Sequence, residues 1–105
     1  MADKTRLQQI QDMLADDPND AMLQYMLAME YVSQSDDKQA SACFRQILDR
    51  TPDYVPAYMQ GGRALVRLGR TDEARQLFER GIAVAQQKQE FHARDEMQGM
   101  LAELE

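Results

Sequence analysis

Like residues recur along this chain at a spacing of 34, and that interval restricts the fold more than any other feature of the sequence. Pro18 and Pro52 stand 34 apart, as do Ala40 and Ala74, Phe44 and Phe78, and Leu48 and Ile82. Ile10 precedes Phe44 by the same interval, and Leu14 precedes Leu48. One pair of this kind carries no weight, but six in a single register describe a structural unit that is repeated. An unrelated helical bundle also shows apolar stripes, yet nothing obliges it to keep a fixed distance between them.

The local patterns are helical. Residues 20–34 carry one stripe of Leu23, Leu27 and Tyr31 and a second of Met22, Tyr25, Met29 and Val32. Ser35-Asp36-Asp37 interrupts the pattern and offers a side-chain oxygen to cap a new helix. Residues 37–50 bring Ala40, Cys43, Phe44, Ile47 and Leu48 to one face, and Pro52 stops the helix. The plan then repeats. Residues 54–69 form a helix that stops near Gly69, Thr71 is placed to cap the next, and Asp72 and Glu73 suit its dipole. Ala74, Leu77, Phe78, Gly81 and Ile82 supply the buried face of that helix. With only three prolines and five glycines, the chain has few interruptions and no flexible linker.

These positions resemble the tetratricopeptide repeat. The first unit matches its pattern at Leu27, Ala28, Tyr31, Ala40, Phe44 and Pro52, with Gln24 where a tryptophan is usual. The second matches at Tyr58, Gly62, Ala74 and Phe78, and departs at Gly61, Leu65 and Gln86, the last standing where proline is usual. The resemblance implies an all-α fold of helical hairpins in a short right-handed superhelix of about six helices. It divides a single domain, 1–105, into an N-terminal capping helix (3–16), two repeats (20–53 and 54–87) and a C-terminal capping helix (89–104). Leu7, Ile10, Met13 and Leu14 mark the first cap; Ala93, Met97, Met100, Leu101 and Leu104 mark the last.

In that family the first helices of successive units line a concave groove that receives a peptide. Carried over residue by residue, the groove is expected at Met22, Tyr25, Met29, Val32, Met59, Arg63, Val66, Arg67, Arg94 and Met97. Methionine adapts to varied surfaces, and Arg63 and Arg67 share a helical face on which they can pair with carboxylates. The expected partner is a protein or peptide with apolar side chains beside acidic residues or a free C-terminus. Some relatives grip the acidic tail of a heat-shock chaperone with Lys, Asn and Arg. The corresponding positions here are Tyr25, Met29, Gln60, Glu90 and Arg94, of which only Arg94 fits, so that ligand is not expected. Two other arrangements are open: the C-terminal helix can cover the methionines as core, or the methionine stripe or the C-terminal helix of the incomplete last unit can pack against a second copy in a homodimer.

Composition narrows the classes further. The formal charge of −6 opposes non-specific binding to nucleic acid. Cys43 is the only cysteine, so no internal disulfide forms, and a lone thiol fits a cytoplasmic address. The N-terminal residues lack the apolar stretch of a signal peptide, and no run approaches the length that spans a bilayer. No enzyme is expected. His92, the sole histidine, lies among charged residues, Cys43 sits beside Phe44 on an inward face, and Gly61-Gly62 is not followed by a phosphate-loop sequence. Asp16-Asp17-Pro18-Asn19-Asp20 lacks the alternating ligands and the central glycine of a calcium loop. Neither a cofactor nor a metal is implied.

Overall fold

The computed structural model describes residues 4–104, all of its regular structure helical. Six helices follow one another: α1 (Arg6–Asp16), α2 (Ala21–Ser33), α3 (Asp37–Arg50), α4 (Val55–Arg67), α5 (Thr71–Gln87) and α6 (Phe91–Glu103). The expected first residue of the first cap, Asp3, lies outside the described residues. Each helix packs on the next in sequence, so the chain forms an elongated stack of 50 × 28 × 20 Å.

Side chains set the starts of the first three helices. Thr5 Oγ1 accepts from the backbone N–H of Gln8 at 3.1 Å, and Gln8 Oε1 accepts from the N–H of Thr5 at 3.1 Å, a reciprocal capping box. Asp20 caps α2 by accepting from Leu23 N–H, and Asp36 caps α3 by accepting from Gln39 N–H. Thr71 does not cap α5 as expected. It is the first helical residue, Arg70 holds the cap position, and no side chain bonds there.

Two kinds of turn alternate in the first two units. Between α2 and α3, and again between α4 and α5, one residue takes a positive φ: Ser35 at 60° and Gly69 at 77°. The next N–H then reaches back to a carbonyl of the last helical turn, Asp36 to Tyr31 and Arg70 to Leu65, each at 2.9 Å. The α1–α2 and α3–α4 turns carry Pro18 and Pro52 instead. Gln24 Nε2 donates to Pro18 O at 2.7 Å, and Tyr58 Oη donates to Pro52 O at 2.6 Å. Gln24 and Tyr58 occupy the same repeat position, so the amide makes the bond that the aromatic hydroxyl makes one unit later.

The third such turn breaks the register. Where a proline would stop α5, Gln86 continues it, and α5 runs 17 residues against 14 for α3. It stops only at Gln89, which takes the positive-φ turn (59°) otherwise used inside a unit. Glu90 therefore holds the cap position of α6, without a side-chain bond, two residues later than Asp20 and Tyr54 predict.

The core runs through Phe44, Ile47, Tyr58, Phe78 and Met97, all fully buried, each contributing about 1.5–3 kcal/mol through burial. Tyr25 joins it, its ring 5.9 Å from Phe44 and 5.7 Å from Tyr54. Glycines allow α4 and α5 their close contacts. A Cβ on Gly62 would lie 2.3 Å from the Phe78 ring, and one on Gly81 would lie 2.6 Å from Tyr58 Cβ and 2.7 Å from Met97 Sδ. Gly99 in α6 has nothing within 4 Å of such a Cβ. Gly62→Ala is therefore expected to destabilise the chain by about 1–3 kcal/mol through overpacking. Gly99→Ala should stabilise it by about 0.5–1 kcal/mol through helix propensity. Urea denaturation of the two variants checks the opposite signs.

Candidate functional site

Helices α2, α4 and α6 are the first members of their units, and their exposed faces hold the candidate groove. Between α4 and α6 it opens into two clefts. The N-terminal halves of both helices line a cleft of about 210 Å³, with Pro56, Met59 and Gln60 on one side and Glu90 and Ala93 on the other. Tyr25 reaches into it from α2. The C-terminal halves line a larger cleft of about 510 Å³, with Arg63, Val66 and Arg67 facing Glu96, Met100, Glu103 and Leu104. Phe78 of α5 forms part of its lining, and the bare backbone of Gly99 leaves room in it.

Not all the expected residues meet in this groove. Met59 lines the smaller cleft, and Arg63, Val66 and Arg67 line the larger. Tyr25, Met29 and Val32 are half-buried against the core. Burial, with Tyr54 adding to it and Arg63 opposing, holds the Tyr25 hydroxyl above its ordinary pKa. Met22 stays 63% exposed, so α6 does not cover that methionine. Met29 also lines a separate opening of about 420 Å³ between α1 and α2, together with Met13 and Met26.

Two assignments fail. Met97 is 0% exposed and packs on Gly81, and is a core residue. Arg94 lines neither cleft. Its guanidinium donates to Gln86 Oε1 at 2.7 Å and to Asp95 at 2.9 Å, and lies 4.7 Å from the centre of the Phe91 ring. Both errors have one cause. The 34-residue spacing cannot be carried past a helix that overruns its stop, and the late entry of α6 turns different side chains outward. In their place Glu96, Met100 and Glu103 enter the groove. The substitution of Gln86 for proline was the available signal. Met26 was also missed, although it lies one helical turn beyond Met22.

The charges in the larger cleft are unequally satisfied. Arg67 pairs with Asp37 at 2.9 Å, clipping the end of α4 to the start of α3. Glu96 Oε1 lies 2.6 Å from Nε2 of the exposed His92. Arg63 and Glu103 have no ion-pair partner among the described residues. Among those residues, no three His, Cys, Asp or Glu side chains come together as metal ligands, and no helix is long and apolar enough to cross a membrane.

Cys43 is half-buried on α3. Burial first, and then the charge of Asp36, raise its thiol pKa above the ordinary value. A raised pKa leaves less thiolate at neutral pH, and thiolate is the reactive form. Iodoacetamide should therefore modify Cys43 more slowly in the folded chain than in urea at the same pH. Equal rates would show the thiol to be unprotected.

Comparison with known proteins agrees with this geometry. The sequence profile of the tetratricopeptide repeat matches residues 31–103. A tetratricopeptide repeat domain protein from Salinibacter ruber, solved in solution, is 32% identical. The match covers 84% of this chain and 89% of that one, at a TM-score of 0.79. A crystal structure of a tetratricopeptide repeat domain protein from the same organism is 30% identical over 81% of this chain and 96% of its own, at a TM-score of 0.76. A protein from Bordetella parapertussis, 27% identical, superposes at a TM-score of 0.85 over 97% of this chain and 89% of that one. No curated protein matches the sequence. With repeat register, helix order and close-packed glycines all of this type, the chain belongs to the tetratricopeptide repeat family, whose fold generally serves protein–protein interaction rather than catalysis.

Proposed function

We propose that the chain is an adaptor that holds a segment of another protein in the groove between α4 and α6, with Tyr25 at one end. The larger cleft carries this reading. Its volume of about 510 Å³ falls within the range of sites that enclose ligand groups. Val66, Met100 and Leu104 give it apolar surface, and Arg63, without an ion-pair partner among the described residues, stands beside them. The half-buried Cys43 thiol suits a reducing, cytoplasmic setting. Arg63 is the arginine best placed to receive a carboxylate from the partner, since Arg67 is already engaged by Asp37.

Immobilised chain incubated with an extract of its source cells tests the groove. The strongest retained protein, purified and titrated, should bind Val66→Asp about tenfold or more weakly. Gln76→Asp, on the opposite face between α3 and α5, should leave its affinity unchanged. Equal affinity for wild type and Val66→Asp overturns the groove reading.

A second reading, self-association, is favoured by the end of the stack. Met13 (42% exposed), Met22 and Met26 (40% exposed) form an apolar face on α1 and α2, and clustered exposed side chains of this kind mark interfaces. In a homodimer built on that face, light scattering would show a mass that doubles with concentration, and Met26→Asp would return it to monomer without loss of helix. A wild-type mass fixed at the monomer value removes this reading.

A further inference from the structure

The walls of the larger cleft carry opposite charge. Arg63 and Arg67 stand on α4, Glu96 and Glu103 on α6, with Val66 and Met100 between them. Glu96 and Glu103 lie seven residues apart, about 10 Å along one helix face, and the two arginines about 6 Å apart. Among the described residues no ion pair joins the two walls: Arg67 is engaged by Asp37, Glu96 lies against His92, and Arg63 and Glu103 are unpaired. Both helices pack on α5, and α4 and α6 also touch directly.

Building on the groove reading, we infer that the occupant is a protein segment in which an apolar side chain is flanked by one carboxylate and one cation. The carboxylate meets Arg63, the cation meets Glu103, and the apolar side chain lies on Val66 and Met100. A wholly acidic segment would face Glu96 and Glu103 across the cleft, and a wholly basic one would face Arg63 and Arg67. Like charges at close quarters reject a partner more strongly than one exposed pair attracts it. Only a segment of mixed sign leaves both walls paired.

Three labelled peptides with one leucine-centred core test the inference by fluorescence polarization: acidic on both flanks, basic on both flanks, and one of each. The mixed peptide should bind about tenfold more tightly than either uniform one. Glu103→Lys makes the cleft basic and should move the preference to the acidic peptide, and Arg63→Glu should move it to the basic peptide. Both side chains are exposed, and circular dichroism confirms that each variant remains helical. A wild-type preference for a uniform peptide overturns the inference. Equal affinity for all three that Val66→Asp abolishes overturns the charge pattern and leaves the groove standing. Equal affinity that Val66→Asp does not change overturns both. No binding of any peptide up to about 1 mM overturns the charge pattern, while the groove is then judged by protein retention alone.

Discussion

The structure depends on how closely α4 can be approached. Phe44 of the preceding helix lies against Gly61, and Phe78 of the following helix lies against Gly62. Any side chain at Gly62 would occupy the space of the Phe78 ring. Two adjacent glycines cost helix propensity, roughly 1 kcal/mol each relative to alanine. That cost is offset where two aromatic rings are buried in full, each contributing about 1.5–3 kcal/mol through burial. α4 thus becomes the centre of the stack, with α3 and α5 seated on it and α6 reached through α5.

Turn chemistry governs how far the stack keeps its period. A proline at positions 18 and 52 stops a helix because its ring blocks the preceding turn and it has no N–H to donate. The carbonyl it presents is then bonded by Gln24 or Tyr58 from the helix that follows. Glutamine at position 86 has no such effect. α5 continues to Gln87, and Gln89 closes it with the left-handed turn that elsewhere joins helices within a unit. Lys88, at this altered turn, bonds the carbonyl of Asp53 at the preceding unit's turn at 2.9 Å, so the displaced helix entry is still anchored to the repeat before it.

The consequences for the groove are chemical. In the original register Arg94 and Met97 would extend an apolar and basic surface onto the last helix. In the structure Met97 fills the core above Gly81, Arg94 turns to Gln86 and Phe91, and Glu96 and Glu103 face the arginines of α4. The late entry at this turn thus bears on which charges α6 presents some ten residues further on, because rotation of a helix moves all its side chains together.

The sequence alone determined the helical class, the number of helices and the core of the two complete units. Those properties rest on local rules: apolar spacing, capping oxygens at Thr5, Asp20 and Asp36, proline stops, and a period that places Phe44 and Phe78 alike. Met59, Arg63, Val66 and Arg67, expected on one groove-facing side of α4, line the clefts beside that helix, which enters on schedule. Tertiary structure decided which face of α6 is buried, how far α1 and α2 leave Met13, Met22 and Met26 exposed, and which charges find partners. Those outcomes are set by packing between elements. A helix with apolar residues at 93, 97, 100, 101 and 104 satisfies its pattern in more than one rotation, and the late entry of α6, with the space left beside Gly81, gives the one in which Met97 points inward.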